Sequence, residues 1–80
     1  MVYNPPKNTN YAHIKLNEEK QEKINDIMGK NGEWFKKFTE ENGLKYVWYS
    51  KENKWIEIWG NHFSIEKSKE ELIERIRKIN

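Results

Sequence analysis

The residues of this sequence best suited to chemistry are four consecutive ones, Gly29-Lys30-Asn31-Gly32. Two glycines three positions apart let the backbone approach a ligand closely, because neither carries a Cβ. Free amides at the start of a helix after Gly32 would face the same ligand, and anions bind at such positions. Lys30 adds a positive charge and Asn31 a hydrogen-bond donor. The segment predicts a phosphate-binding loop, with a simple tight turn between two helices as the alternative.

Catalytic and metal chemistry have little support elsewhere in the sequence. His13 and His62 are the two histidines, and they stand in no metal-ligand spacing and near no nucleophile motif. The acidic residues are scattered along predicted helix faces, as solvated charges usually are. The chain has no cysteine, and so no thiolate ligand and no disulfide. We therefore expect no enzyme activity, no catalytic residue, no metal site and no cofactor.

The elements that must position the loop are predicted by local patterns. Apolar and polar residues alternate over residues 11–16, which predicts a strand with one buried face. A helix should follow over residues 17–28, since Asn17 can cap its start and Gly29 can end it. A second helix should fill residues 33–42, between two glycines. The loop is thus expected to join two consecutive helices.

The C-terminal half predicts two strands and a last helix. Residues 44–49 are rich in aromatic and β-branched side chains, and residues 55–59 alternate in polarity. A last helix should begin near Ser64, where isoleucine and leucine recur at helical spacing. The predicted fold is α+β, a three-stranded antiparallel sheet packed on three helices in the order β-α-α-β-β-α.

Length and composition bear on domain organisation and on the class of protein. Eighty residues make one domain. We expect it to occupy residues 11–80, after a flexible N-terminal arm over residues 1–10. A net charge of +2 is too small to attract polyanions over the whole surface, so any such binding must be local. No apolar run long enough for a membrane span and no secretory leader is recognisable, which predicts an intracellular protein, cytoplasmic or nuclear.

This order of elements, with Gly-x-x-Gly between the first two helices, resembles the type I (eukaryotic-type) KH domain. The motif of that family has two apolar residues, glycine, a basic residue, any residue, glycine, and an apolar residue three positions further on. The matching residues are Ile27-Met28-Gly29-Lys30-Asn31-Gly32-Glu33-Trp34-Phe35. The closing strand of the family, which ends in Ile-x-Gly before a helix, is matched by Ile56-Glu57-Ile58-Trp59-Gly60. The likeness covers residues 11–79.

The resemblance implies binding of single-stranded nucleic acid, RNA in preference to DNA, about four nucleotides at a time. In this family the loop and its two helices form one wall of a narrow groove, and the second strand forms the other. The residues implied in binding are Ile24, Ile27, Met28, Gly29, Lys30, Asn31, Gly32, Trp34, Phe35, Lys36, Lys37, Lys45 and Tyr46.

The resemblance also gives these residues roles. Phosphates would lie against the loop, and Lys36 and Lys37 would add phosphate contacts without reading sequence. Base edges would meet Lys45 and Tyr46, with Tyr46 also part of an apolar groove floor. Two roles stay open for Trp34: it could stack on a base, or it could cover the first helix.

A second surface is expected on the side of the sheet that faces away from the helices. The residues expected there are Trp55, Trp59, Val47 and Tyr49. An apolar face of this size tends to mark an interface or to be covered by another part of the chain. Its occupant could be a second copy or a partner protein, or it could be the arm, through Val2 and Tyr3. The alternative function is therefore a KH scaffold used for homodimerisation or protein association, with little affinity for nucleic acid.

Overall fold

The computed structural model describes residues 3–7 and 9–79. The elements are β1 (Asn10–Lys15), α1 (Glu18–Glu22), α2 (Ile24–Met28), a 3₁₀ turn (Lys30–Gly32), α3 (Glu33–Glu41), β2 (Tyr46–Ser50), β3 (Trp55–Gly60) and α4 (His62–Lys78). The predicted α+β class and the β-α-α-β-β-α order are confirmed. The first predicted helix is divided into α1 and α2 at Lys23, which has φ −97° and ψ 11°.

Local capping accounts for where two of the helices begin. The Asn17 side chain accepts a hydrogen bond from the Lys20 amide at 2.8 Å, as expected for the start of α1. The Asn61 side chain accepts one from the Ser64 amide at 2.7 Å, so α4 begins at His62 rather than at Ser64. Among the described residues, no helix is long and apolar enough to cross a membrane.

The three strands form one antiparallel sheet in the order β1-β3-β2, so β3 is the central strand. Ile56 and Ile58 of β3 are fully buried against the helices. The core lies between this face and the helices, and it consists of Leu16, Ile27, Phe35, Phe38, Leu44, Ile56, Ile58, Ile65 and Leu72. Burial of these side chains is the main favourable contribution to folding.

The orientation expected for β2 is wrong. Val47 and Tyr49 pair with the two buried isoleucines of β3, so both face the helices and pack against the core. Tyr46 and Trp48 face outward in their place. Side chains alternate between the two faces of a strand, and a register shifted by one residue exchanges the faces completely.

The outer face of the sheet, the one away from the helices, is partly covered by the N-terminal arm. The Tyr3 ring packs against three aromatic residues, Tyr46, Trp48 and Trp59. The Asn4 amide donates a hydrogen bond to the Tyr46 hydroxyl at 3.0 Å. The arm, one of the occupants left open by the sequence, thus lies on this face through Tyr3; Val2 lies outside the described residues.

Candidate nucleic-acid groove

The Gly-Lys-Asn-Gly loop is a single tight turn between α2 and α3. Its backbone enters the positive-φ region three times, at Gly29 (φ 85°), Asn31 (φ 57°) and Gly32 (φ 74°). Glycine adopts these angles without strain, and asparagine tolerates them better than most residues. The Gly32 amide closes the turn by donating a hydrogen bond to the Gly29 carbonyl oxygen at 3.0 Å. The two helices are therefore joined with very little intervening chain.

The two glycines of the loop have different surroundings. A Cβ on Gly29 would lie 2.8 Å from the backbone nitrogen of Trp34 and 2.9 Å from its Cβ, so the missing side chain lets α3 pack close to the loop. A Cβ on Gly32 would meet no atom within 4 Å. The sequence suggested that both glycines leave room for a ligand, whereas only Gly32 has open space beside it.

A groove of about 260 Å³ separates the helices from β2. Its helix-side residues are Met28, Asn31, Gly32, Phe35, Lys36 and Thr39, and its strand-side residues are Val47, Trp48 and Tyr49. From the set named by the sequence, the structure brings together Met28, Asn31, Gly32, Phe35 and Lys36 here. The groove thus combines an apolar floor with one glycine of the loop and one lysine.

A second cleft, of about 580 Å³, adjoins the groove, and Tyr49 belongs to both. Ile24 lies in this cleft and not in the groove itself. The helix-side wall also carries Glu18, Gln21 and Glu22, and the other wall carries Lys51 and Lys54 from the β2–β3 loop. The cleft thus has acidic groups on its helix side and basic groups on the side of the β2–β3 loop.

Ile27, Tyr46 and Lys45 were also expected to bind, and they line neither the groove nor the adjoining cleft. Ile27 is fully buried in the core. Tyr46 faces the opposite side of the sheet, where its ring meets Trp59 edge-on at 5.5 Å, so the expectation that it forms the groove floor and meets base edges is wrong. Lys45 precedes β2, is exposed, and is not among the residues that line either opening.

Trp34 points toward α4 and not toward the groove. Its ring stacks on Phe38 at 4.8 Å between centroids, with 15° between the ring planes. The Arg75 guanidinium carbon lies 4.8 Å from the Trp34 ring centroid, within the range of a cation–π interaction. Arg75 also donates hydrogen bonds to carbonyl oxygens at the end of α2, those of Asp26 at 2.9 Å and Ile27 at 3.3 Å. The ring contacts of Trp34 are thus with α3 and α4, and neither a base nor the first helix is shown against it.

Two other expected binding residues, Lys30 and Lys37, lie on the side of the loop away from the groove. Lys30 and Lys37 line a shallow depression of about 250 Å³ together with Gly29, Glu33 and Trp34. Both lysines are exposed, and Lys37 forms an ion pair with Glu41 at 3.7 Å. Lys30 and Lys36 therefore place one cation on each side of the loop, at the depression and at the groove.

Sequence reasoning missed several residues that line the groove. Thr39 follows Phe35 by one helical turn, and this spacing could have revealed it. Its hydroxyl donates to the Phe35 carbonyl oxygen at 2.6 Å, which leaves the hydroxyl oxygen free to accept a hydrogen bond from a ligand. Val47 and Tyr49 were assigned to the wrong face of β2, a mistake that a correct register would have removed.

Among residues 3–7 and 9–79, no group of three or more His, Cys, Asp or Glu side chains is placed to hold a metal ion. A scan against protein-family models finds no match for this chain, and a search of curated proteins also finds none.

Proposed function

We propose that the chain binds a short single-stranded segment of nucleic acid, RNA in preference to DNA, in the groove between the Gly-Lys-Asn-Gly loop and β2. The observation that carries the proposal is the groove itself: it has the loop and its helices as one wall and the second strand as the other. This is the arrangement that the resemblance to type I KH domains implies. About four nucleotides would occupy the groove and the adjoining cleft.

Phosphate binding at the loop is supported by the space around Gly32. No atom lies within 4 Å of its missing side chain, so a sugar-phosphate backbone can lie directly against the main chain. Gly32 caps α3 without a side-chain hydrogen bond, and the first-turn amides of α3 therefore lack a side-chain acceptor. Asn31 is exposed next to it and can donate to a phosphate oxygen. These features position a phosphate without selecting a base.

The path of the strand is supported by the distribution of charge. Lys36 lies at the groove, and Lys51 and Lys54 lie on the loop side of the adjoining cleft. Glu18 and Glu22 on the other wall disfavour phosphates there and can accept hydrogen bonds from base amino groups. In the adjoining cleft we therefore place the phosphates on the side of the β2–β3 loop and the bases toward α1. With a net charge of only +2, affinity should be modest and sensitive to salt.

Base binding is supported by the apolar floor and its few polar groups. Met28, Phe35 and Val47 offer an apolar surface on which base faces can lie. The Thr39 hydroxyl oxygen can accept a hydrogen bond from a base amino group or from a ribose 2′-hydroxyl. A 2′-hydroxyl contact would favour RNA over DNA.

The test is a titration of labelled oligonucleotides of four to eight bases against the chain and a double variant, Lys30→Asp with Asn31→Asp. The variant should lose affinity by about ten- to a hundred-fold, because it places negative charge where phosphate would lie. A matched control, His62→Asp with Lys67→Asp, makes the same change in formal charge at exposed positions of α4. Equal affinities of the loop variant and the control would refute the groove as the binding site.

The competing function is self-association or protein association through the outer face of the sheet. Half-buried Trp55 and exposed Tyr11 on that face are the observations in its favour. Sedimentation at several concentrations separates the two functions. A stable dimer that binds none of the oligonucleotides would favour this second function over nucleic-acid binding.

A further inference from the structure

The outer face of the sheet contains a buried carboxylate beneath aromatic rings. Glu57 is only 5% exposed, although it lies on the face away from the helices. Its Oε1 accepts a hydrogen bond from the Tyr3 hydroxyl at 2.7 Å, and its Oε2 accepts one from Trp55 Nε1 at 2.8 Å. Both donors are neutral, and the ion pairs found in the described part of the chain involve other residues. A buried carboxylate without a cationic partner is costly, so this position favours a positively charged ligand.

Aromatic rings surround the side chain that covers this carboxylate. From the centroid of the Tyr3 ring, the centroids of three rings lie at 5.1 Å (Trp48), 6.0 Å (Trp59) and 6.3 Å (Tyr46). These ring planes are inclined to that of Tyr3 by 54° to 62°. A ligand whose nitrogen takes the place of the Tyr3 hydroxyl would therefore put its N-methyl groups and aliphatic chain among these three rings.

The side chain now in this position is held by few contacts. Tyr3 is 46% exposed. Among residues 3–7 and 9, which precede β1, the hydrogen bonds to the sheet are those from the Tyr3 hydroxyl to Glu57 and from the Asn4 amide to the Tyr46 hydroxyl. The site is thus filled by one side chain of a polypeptide segment. Another peptide could take its place.

We propose that the outer face binds a peptide carrying a dimethylated lysine, whose side chain replaces that of Tyr3. The dimethylammonium group is positively charged and has a single N–H, which matches the one donor that Glu57 Oε1 loses when Tyr3 leaves. Its methyl groups would contact the surrounding rings. This site is separate from the groove, and the inference does not depend on nucleic-acid binding.

The number of N–H donors on the ammonium group also predicts the order of affinity among lysines with different numbers of methyl groups. An unmodified lysine has three N–H donors, and two of them would face aromatic rings without an acceptor. A trimethylated lysine has none, which would leave Glu57 Oε1 unpaired. The expected order of affinity is dimethylated, then trimethylated, then unmodified lysine. The arm acts as an internal competitor, so its removal should strengthen binding.

The experiment is calorimetric titration of the full chain with one peptide in three forms, carrying unmodified, dimethylated or trimethylated lysine. Tyr3→Ala should tighten binding of the dimethylated peptide by about five- to ten-fold, because it removes the competing side chain. Glu57→Gln keeps the shape of the side chain and removes its charge, and it should weaken binding by about ten- to a hundred-fold. Trp48→Leu, on the edge strand β2, provides a second test if Glu57→Gln does not fold, with an expected loss of about two- to five-fold.

Several results would overturn the proposal. Equal affinity for the three peptides would remove the role of the carboxylate, and so would a folded Glu57→Gln variant that binds as tightly as the unchanged chain. An absence of binding to Tyr3→Ala would remove the site altogether. Free trimethylamine, which like dimethyllysine has a single N–H when protonated, is the second probe: if it binds as tightly as the peptide, the site is one for small amines and not for a peptide side chain.

Discussion

Replacing Gly29 by alanine should destabilise the fold far more than the same change at Gly32 or Gly43. The three glycines share a positive φ, at 85°, 74° and 64° respectively, so alanine strains the backbone at each of them. They differ in the space around the missing side chain. A Cβ on Gly29 would collide with the backbone of Trp34 at 2.8 Å, whereas a Cβ on Gly32 would meet open space. At Gly43 a Cβ would make an ordinary contact of 3.7 Å.

The magnitudes follow from these surroundings. Gly32→Ala and Gly43→Ala should each lower the free energy of unfolding by about 1–2 kcal/mol, because only the strain of the left-handed backbone conformation contributes. Gly29 combines φ 85° with ψ 165°, a region open almost only to glycine, and alanine there costs about 1–3 kcal/mol. Displacing Trp34 from its packing against the loop adds about 1–3 kcal/mol. The expected loss for Gly29→Ala is therefore about 2–6 kcal/mol, a large part of the stability of a small domain.

The assay is urea unfolding followed by tryptophan fluorescence. With a slope of about 1 kcal/mol per molar urea, Gly32→Ala and Gly43→Ala should lower the midpoint by about 1–2 M. Gly29→Ala should lower it by more than about 2 M or prevent folding. If Gly29→Ala and Gly43→Ala had equal midpoints, the close approach of Trp34 to the loop would not limit stability, and our account of the two loop glycines would be refuted.

Three further predictions concern the arm, α4 and the groove. Burial and the Glu57 carboxylate raise the pKa of Tyr3 from 10 to about 12, so the stabilisation from arm docking should be complete below pH 10 and lost as the pH rises through about 12. A Tyr3→Phe variant, compared by fluorescence across that range, should lack this change. Arg75→Ala should lower the free energy of unfolding in urea by about 1–3 kcal/mol, because it removes hydrogen bonds to the end of α2 and the contact with Trp34. The control Arg77→Ala, which removes a surface ion pair, should lower it by less than about 0.5 kcal/mol. Oligonucleotide affinity should fall about twenty-fold between about 50 and 200 mM salt if about three phosphates are bound, and an affinity independent of salt would contradict phosphate contacts at the loop.

The order of elements and the tight turn of the loop were predictable because local interactions specify them. Asn17 caps α1 through a side chain three residues from its partner. Gly29 and Gly32 supply backbone angles that few other residues adopt. Alternation of polarity in β1 likewise depends only on neighbouring residues. Each of these signals acts within a few positions of the chain, so no knowledge of packing is needed to read it.

The membership of the groove was less predictable, because it depends on how distant segments meet. β2 has aromatic or branched side chains on both faces, at Tyr46, Val47, Trp48 and Tyr49, so its pattern carries no contrast that would select the buried face. Pairing with the buried isoleucines of β3 makes that selection.

The orientation of Trp34 and the burial of Glu57 also depend on residues that are distant in sequence. Trp34 turns away from the groove because Phe38 and Arg75 provide a stacked surface on the α4 side. The alternation of polarity in β3 predicts that Glu57 is exposed. It is buried instead, because Tyr3, which is far away in sequence, lies over it. Local patterns thus specify which elements form and where the chain turns. The surfaces available for binding follow from long-range packing, because a side chain's neighbours are set by strand register and helix docking, which short stretches of sequence do not encode.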